Sequence, residues 1–149
     1  MFETGVNLLG ELSGDALLGV DAWIAGSLSG WMLQDLAVQG NALQQVGGHM
    51  VVLVWGCSSL SNLGDALLLF WALVSLGAAD ASTGRTSGRF ALCMVILAAV
   101  TITLNAVRLM LMAGSPEAYV FLHGSDGAAL FRLATLCITA VMSGLAVWR

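Results

Sequence analysis

The stretch Phe90-Ala91-Leu92-Cys93-Met94-Val95-Ile96-Leu97-Ala98-Ala99-Val100-Thr101-Ile102-Thr103-Leu104-Asn105-Ala106-Val107-Arg108-Leu109-Met110-Leu111-Met112-Ala113 is apolar along nearly its whole length. A helix crossing ~30 Å of hydrocarbon needs roughly 20 such residues. Near the far end stand Asn105 and Arg108, one turn apart on the same helix face. An ionisable side chain at membrane depth is costly and marks a candidate functional site.

Working outward, three further segments read as spans: residues 16–33, 60–78 and 127–148. The first is the least apolar, with Asp15 at its mouth and Asp21 inside, and Glu11 sharing the Asp15 face. Such carboxylates must face protein or water rather than lipid. Trp31 fits an interfacial aromatic. Between the first two spans, residues 34–55 are polar and punctuated by Gly40-Asn41 and Gly47-Gly48, which are turn signals. The β-branched run from His49 to Trp55 predicts a short strand. Residues 80–89 and 114–126 read as loops. The expected fold is an all-α membrane protein, one integral domain over residues 1–149, with about four transmembrane helices and a small extended or hairpin element outside the bilayer.

Composition agrees. The chain is 58% hydrophobic and 9% charged, against about 25% charged residues in a soluble domain. Its mean hydropathy is +0.90. Five cations, all Arg, against nine carboxylates give a net charge of −4, which argues against nucleic acid as partner. Eighteen Gly and one Pro suit closely approaching helices.

Arg85, Arg89 and Arg149 mark one side as cytoplasmic by the positive-inside rule. Both termini then lie in the cytoplasm, and residues 34–55 and 114–126 lie outside. Arg108 follows Arg89 by nineteen residues, or ~28 Å of helix. That sets it at the outer edge of the bilayer, where Cys57 and His123 also fall. No basic leader region precedes the first span.

Three cysteines, at 57, 93 and 137, make no CxxC pair and no zinc spacing. Cys93 and Cys137 lie in apolar runs and read as buried small hydrophobes. Cys57 opens the polar stretch Ser58-Ser59-Leu60-Ser61-Asn62. A thiol attacks as thiolate and is activated by a neighbouring base or cation. His123 is suited to carry its proton. Arg108 keeps its charge and suits a thiolate, a carboxylate or an oxyanion. Asn105, Ser58 and Ser59 are candidates to bind substrate or to support the reacting residues, with Asn105 placed to orient Arg108 or to donate to substrate. Read singly, each residue has a plainer role: Arg108 as a snorkelling side chain, His123 as a solvated loop residue, Ser58 and Ser59 as helix caps, Asp65 as a carboxylate complementing a helix dipole. Their order and shared side favour thiol-based acyl transfer.

The segments Cys57-Ser58-Ser59-Leu60, Asn105-Ala106-Val107-Arg108 and Leu122-His123-Gly124 resemble the exosortase/archaeosortase family of membrane cysteine transpeptidases. The resemblance covers about residues 21–148. It implies Cys57 as nucleophile, His123 as proton-transfer partner and Arg108 as the third essential residue. It further implies membrane-anchored protein substrates whose C-terminal sorting signal is a recognition motif, a transmembrane helix and a basic tail. Cleavage would fall on the outer face of the cytoplasmic membrane. Two features depart from the family. Ser59 stands where Gly is usual, and the chain is short, as for a minimal member or a subunit completed by other membrane subunits. The acidic residues of the first span suit a helix contact or a substrate's basic tail. Rival readings are a non-catalytic membrane subunit, a haem protein using His49 and His123, and a membrane thiol redox protein. No metal or cofactor is expected.

Overall fold

The computed structural model describes residues 3–30, 36–45, 49–77 and 86–147. The side chain of Glu11, and Trp31, Gln34, Gly47, Gly48, Asp80, Arg85, Trp148 and Arg149, lie outside the described residues. The chain is mostly helical. Helix α1 (Glu3–Ser29) leads to three strands, β1 (Leu36–Gln39), β2 (Ala42–Gln45) and β3 (Met50–Val52). A 3-10 turn over Trp55–Cys57 follows, then α2 (Ser59–Gly77), α3 (Thr86–Gly114), α4 (Pro116–His123) and α5 (Ser125–Val147).

Among the described residues, three helices are long and apolar enough to cross a membrane: α2, α3 and α5, with mean hydropathies of 1.5, 2.4 and 1.9 over their apolar windows. Their outward faces are as apolar as their inward ones. Leu68 and Trp71 on α2, Val95 on α3 and Val141 on α5 are all more than 60% exposed. A helix apolar all round belongs in a core or in lipid. The expected first span coincides in part with α1, which is longer than expected and more polar than the other three.

The expected hairpin is a three-stranded antiparallel sheet in the order β1-β2-β3. Ala42 pairs with Gln39 across the Gly40-Asn41 turn, and Gly40 takes φ 59°, where a side chain is strained. The predicted strand 49–55 is shorter than expected. It ends at Val52 because Trp55–Cys57 coils into a 3-10 turn, with the Cys57 N–H donating to Val54 O at 2.8 Å.

Residues 114–126, expected as loop, contain α4. Ser115 caps it, its Oγ accepting from the Ala118 N–H at 3.0 Å, with Pro116 in the first turn and Glu117 beside it. A capping oxygen, a proline that needs no N–H and an early carboxylate start a helix there. Gly124 separates α4 from α5. A methyl group on Gly127 would meet the backbone of Phe121 and Leu122, so only glycine lets α5 begin this close to α4. Of the segment 80–89, also expected as loop, residues 86–89 are helical because α3 begins at Thr86, and residues 80–85 lie outside the described residues.

Two cores result. One joins α1, the sheet, the C-terminal half of α3 and α4 through Leu18, Ala22, Leu43, Val51, Leu109 and Leu122. The other joins α2, α5 and the first half of α3 through Ala66, Phe70, Cys93, Leu97 and Met142. Cys93 is buried as expected, whereas Cys137 is exposed on the outer face of α5.

Candidate active site

The 3-10 turn and α2 meet at Cys57-Ser58-Ser59. Ser58 has extended backbone and caps α2, its Oγ accepting from the Leu60 N–H at 3.1 Å. The Ser59 N–H, one of the unpaired donors of a helix start, donates to Asp21 Oδ2 at 2.8 Å. Asp21 is 6% exposed. Its carboxylate sits on the positive end of α2 and ties α1 to the cysteine turn. Of the two roles expected for the acidic residues of the first span, Asp21 takes the helix contact. Ser58 takes the cap role read from the sequence, and both Ser58 and Ser59 are buried, because these backbone and capping bonds draw them in. Ser59 is the first residue of α2, a helical position that makes no special demand for glycine.

Asn105 completes the arrangement from α3. Its Nδ2 donates to Cys57 O at 2.8 Å and to Ser59 Oγ at 3.0 Å. Its Oδ1 accepts from Asn62 Nδ2 at 3.0 Å. Both amide hydrogens are therefore engaged. Asn105 fixes the cysteine turn; it neither orients Arg108 by a hydrogen bond nor has a hydrogen free for substrate.

Arg108 lies one turn further along α3 and is 9% exposed. Its Nη2 donates to Leu122 O at 2.9 Å, a last-turn carbonyl of α4 that the helix itself leaves unpaired. Its Cζ stands 5.6 Å from the Phe131 ring centroid, within cation–π range. Its Nε is buried without a partner, and among the described residues no carboxylate pairs with it. A buried guanidinium so placed is poorly solvated and available to negative charge.

His123 ends α4. Its exposed ring stacks on Tyr119 at 5.1 Å between centroids and 10° between planes. Tyr119 also receives the edge of His49 at 5.3 Å and 68°.

Cys57, Asn105, Arg108 and His123 line one cavity of about 540 Å³ between α2, α3 and α5. Three elements, the 3-10 turn, α3 and α4, thus bring together these residues singled out from the sequence. Ser58 and Ser59 support the turn from behind and do not line the cavity. No hydrogen bond joins the Cys57 thiol to the His123 imidazole; they share the cavity. The same cavity is also lined by the polar side chains of Asp65, Thr101, Arg132 and Thr139 and by the apolar ones of Leu69, Leu104 and Leu136. Asp65 is nearly two turns into α2 and exposed, so it faces the cavity rather than serving the helix start. Arg132 and Asn62 were not singled out from sequence as site residues. Their only signal was polarity near the start of an apolar run.

Among the described residues no group of three or more His, Cys, Asp or Glu is placed to hold a metal ion. His49 and His123 both contact Tyr119, whose ring stands between them; this does not suit two axial ligands of one haem. Comparison with family models, with curated proteins and with solved structures finds no match to this chain.

Proposed function

We propose that this chain is a thiol-dependent membrane peptidase or transpeptidase of the exosortase/archaeosortase kind. It cleaves C-terminal sorting signals of exported proteins at the extracytoplasmic face of the cytoplasmic membrane. The observation that carries this reading is that Cys57, Arg108 and His123, drawn from three separate elements, line one cavity. Helices α2, α3 and α5 cross the bilayer, and α1 is the fourth crossing. That Asp21 accepts from the first residue of α2, so that this carboxylate faces protein, supports the reading of α1 as a crossing. Both termini are cytoplasmic, and the sheet and α4 lie outside.

In the reaction, Cys57 Sγ attacks the scissile carbonyl carbon. The thiol proton passes to the free ring nitrogen of His123, and the carbonyl electron pair moves to oxygen. Arg108, unpaired at Nε, stabilises that oxyanion. On collapse the C–N bond breaks, the imidazolium returns its proton to the leaving amine, and a thioester remains on Cys57. An acceptor nucleophile or water then attacks the thioester and releases the thiol. Because no hydrogen bond links thiol and imidazole at rest, the two close on each other when a peptide fills the cavity.

The test is Cys57→Ala in the organism that makes the protein. Exported proteins with a C-terminal helix and basic tail are expected to keep their C-terminal peptide, read by mass spectrometry of membranes. Unchanged processing would overturn the reading. The rival, a non-catalytic membrane subunit, draws on the same missing thiol–imidazole bond and on the burial of Cys57, which is 5% exposed. It predicts unchanged processing in the variant and an intact larger complex.

A further inference from the structure

His123 presents a difficulty for any chemistry. It is exposed at the last residue of α4, and a ring so placed samples several rotamers unless something holds it. Neither of its nitrogens is held by a hydrogen bond among the described residues. What it does have is a stack. The Tyr119 ring lies parallel to the imidazole, 10° between planes and 5.1 Å between centroids. Tyr119 is itself fixed on its other side. It packs on the core formed by α1, the sheet, α3 and α4, and it meets His49 in an edge contact at 68°.

We infer that Tyr119 is the positioning residue for the His123 imidazole, with His49 as the stop that fixes Tyr119. This rests on the reading of Cys57 as nucleophile and His123 as its proton partner. Tyr119 touches neither the thiol nor the cavity; it acts by restricting the plane and rotamer of the ring that does line the cavity. Residues four apart on a helix meet readily, so the Tyr119–His123 contact alone would be ordinary. The third ring, His49, comes from the residue just before β3, and it makes the stack a bridge from the sheet to α4. The ring matters and the hydroxyl does not, since the contact to His123 is through the ring face.

The experiment reads the alkylation rate of Cys57 by iodoacetamide in native membranes, resolved from Cys93 and Cys137 by mass spectrometry. His123→Ala sets the rate without the imidazole. Tyr119→Leu is expected to lower the wild-type rate about fivefold, the order of population bias that one aromatic stack supplies. Tyr119→Phe is expected to stay within about twofold of wild type. In the His123→Ala background, Tyr119→Leu is expected to lower the rate no further, because the two act as one unit. Should Tyr119→Leu not accumulate as folded protein, Tyr119→Met keeps the packed volume without a ring and carries the same expectation. If His123→Ala slows alkylation and Tyr119→Leu or Tyr119→Met does not, the inference falls and the proposed function stands. Equal falls for Tyr119→Phe and Tyr119→Leu would also overturn it, since a packing loss or the hydroxyl would then be responsible. If His123→Ala itself changes nothing, the role of His123 as proton partner fails, and the inference with it.

Discussion

The two halves of α3 are one continuous helix in two different environments. From Phe90 to Val100 it meets α2 and α5 through apolar side chains alone; Cys93 and Leu97 sit there with Phe70 and Met142. From Thr101 onward it buries Thr101, Asn105 and Arg108 beneath the sheet, the cysteine turn and α4. Both halves pack on apolar cores, but only the second adds side-chain hydrogen bonds made across the sequence. A helix bundle in lipid has no need of buried polar side chains for association, and each one left unpaired is costly. On α3, among the described residues, the buried polar side chains fall in the second half, and all three line the cavity. Cys57 and Cys93 make the same point as a pair. Both are buried, but only Cys57 has its carbonyl held by an asparagine and a cavity at its side.

The comparison breaks most visibly at Asn105. Asn105→Leu leaves Cys57 O, Ser59 Oγ and Asn62 Nδ2 without their partner in a buried site. We expect at least about 3 kcal/mol of destabilisation, at roughly 1–3 for each of the three unpaired groups. It should be accompanied by altered Cys57 alkylation under conditions where the protein remains folded. Denaturation in mild detergent measures the first and site-resolved labelling the second. The matching change in the other half is Phe70→Ala. It should cost about 2–3 kcal/mol, mainly the cavity contribution, because transfer between lipid and protein interior adds little. Cys57 labelling per folded molecule should stay as in wild type. A change in labelling as large as that from Asn105→Leu would show that the two halves are not independent.

Asp21→Asn sharpens the account with a smaller effect. The group accepting from the Ser59 N–H loses its charge but keeps its shape, so stability should fall by about 1 kcal/mol, the difference between a charged and a neutral acceptor. Cys137→Ala is the smallest. The side chain is exposed on α5, and the change should stay within about 0.5 kcal/mol in the same denaturation assay.

The three apolar helices and the Gly40-Asn41 turn were legible because each rests on local sequence: apolar runs of spanning length, and a dipeptide that accepts positive φ. Helix α4 had a local signal too, in Ser115-Pro116-Glu117, but an eight-residue helix shows barely two turns of periodicity and its Pro and Gly neighbours read as loop. The extent of β3 was overestimated because β-branched residues continue past the point where the ladder stops and the 3-10 turn begins. The inward placement of Ser58 and Ser59 was beyond sequence, since it depends on Asp21 and Asn105, 38 and 46 residues from Ser59. The same distance hides the partner of Asn105. A helical spacing of three residues suggested Arg108, whereas folding gives it the cysteine turn. The shared cavity of Cys57, Arg108 and His123 was anticipated from topology alone, by placing all three at one end of the bundle.

The most direct test of the site is the reaction of Cys57 with a membrane-impermeant thiol reagent added outside intact cells or oriented vesicles, with Arg108→Ala and His123→Ala alongside. The account predicts labelling of Cys57 from the outer side, faster than a simple accessible thiol, and slowed in both variants. Labelling only from the cytoplasmic side, or a slow rate identical in all three proteins, would contradict it.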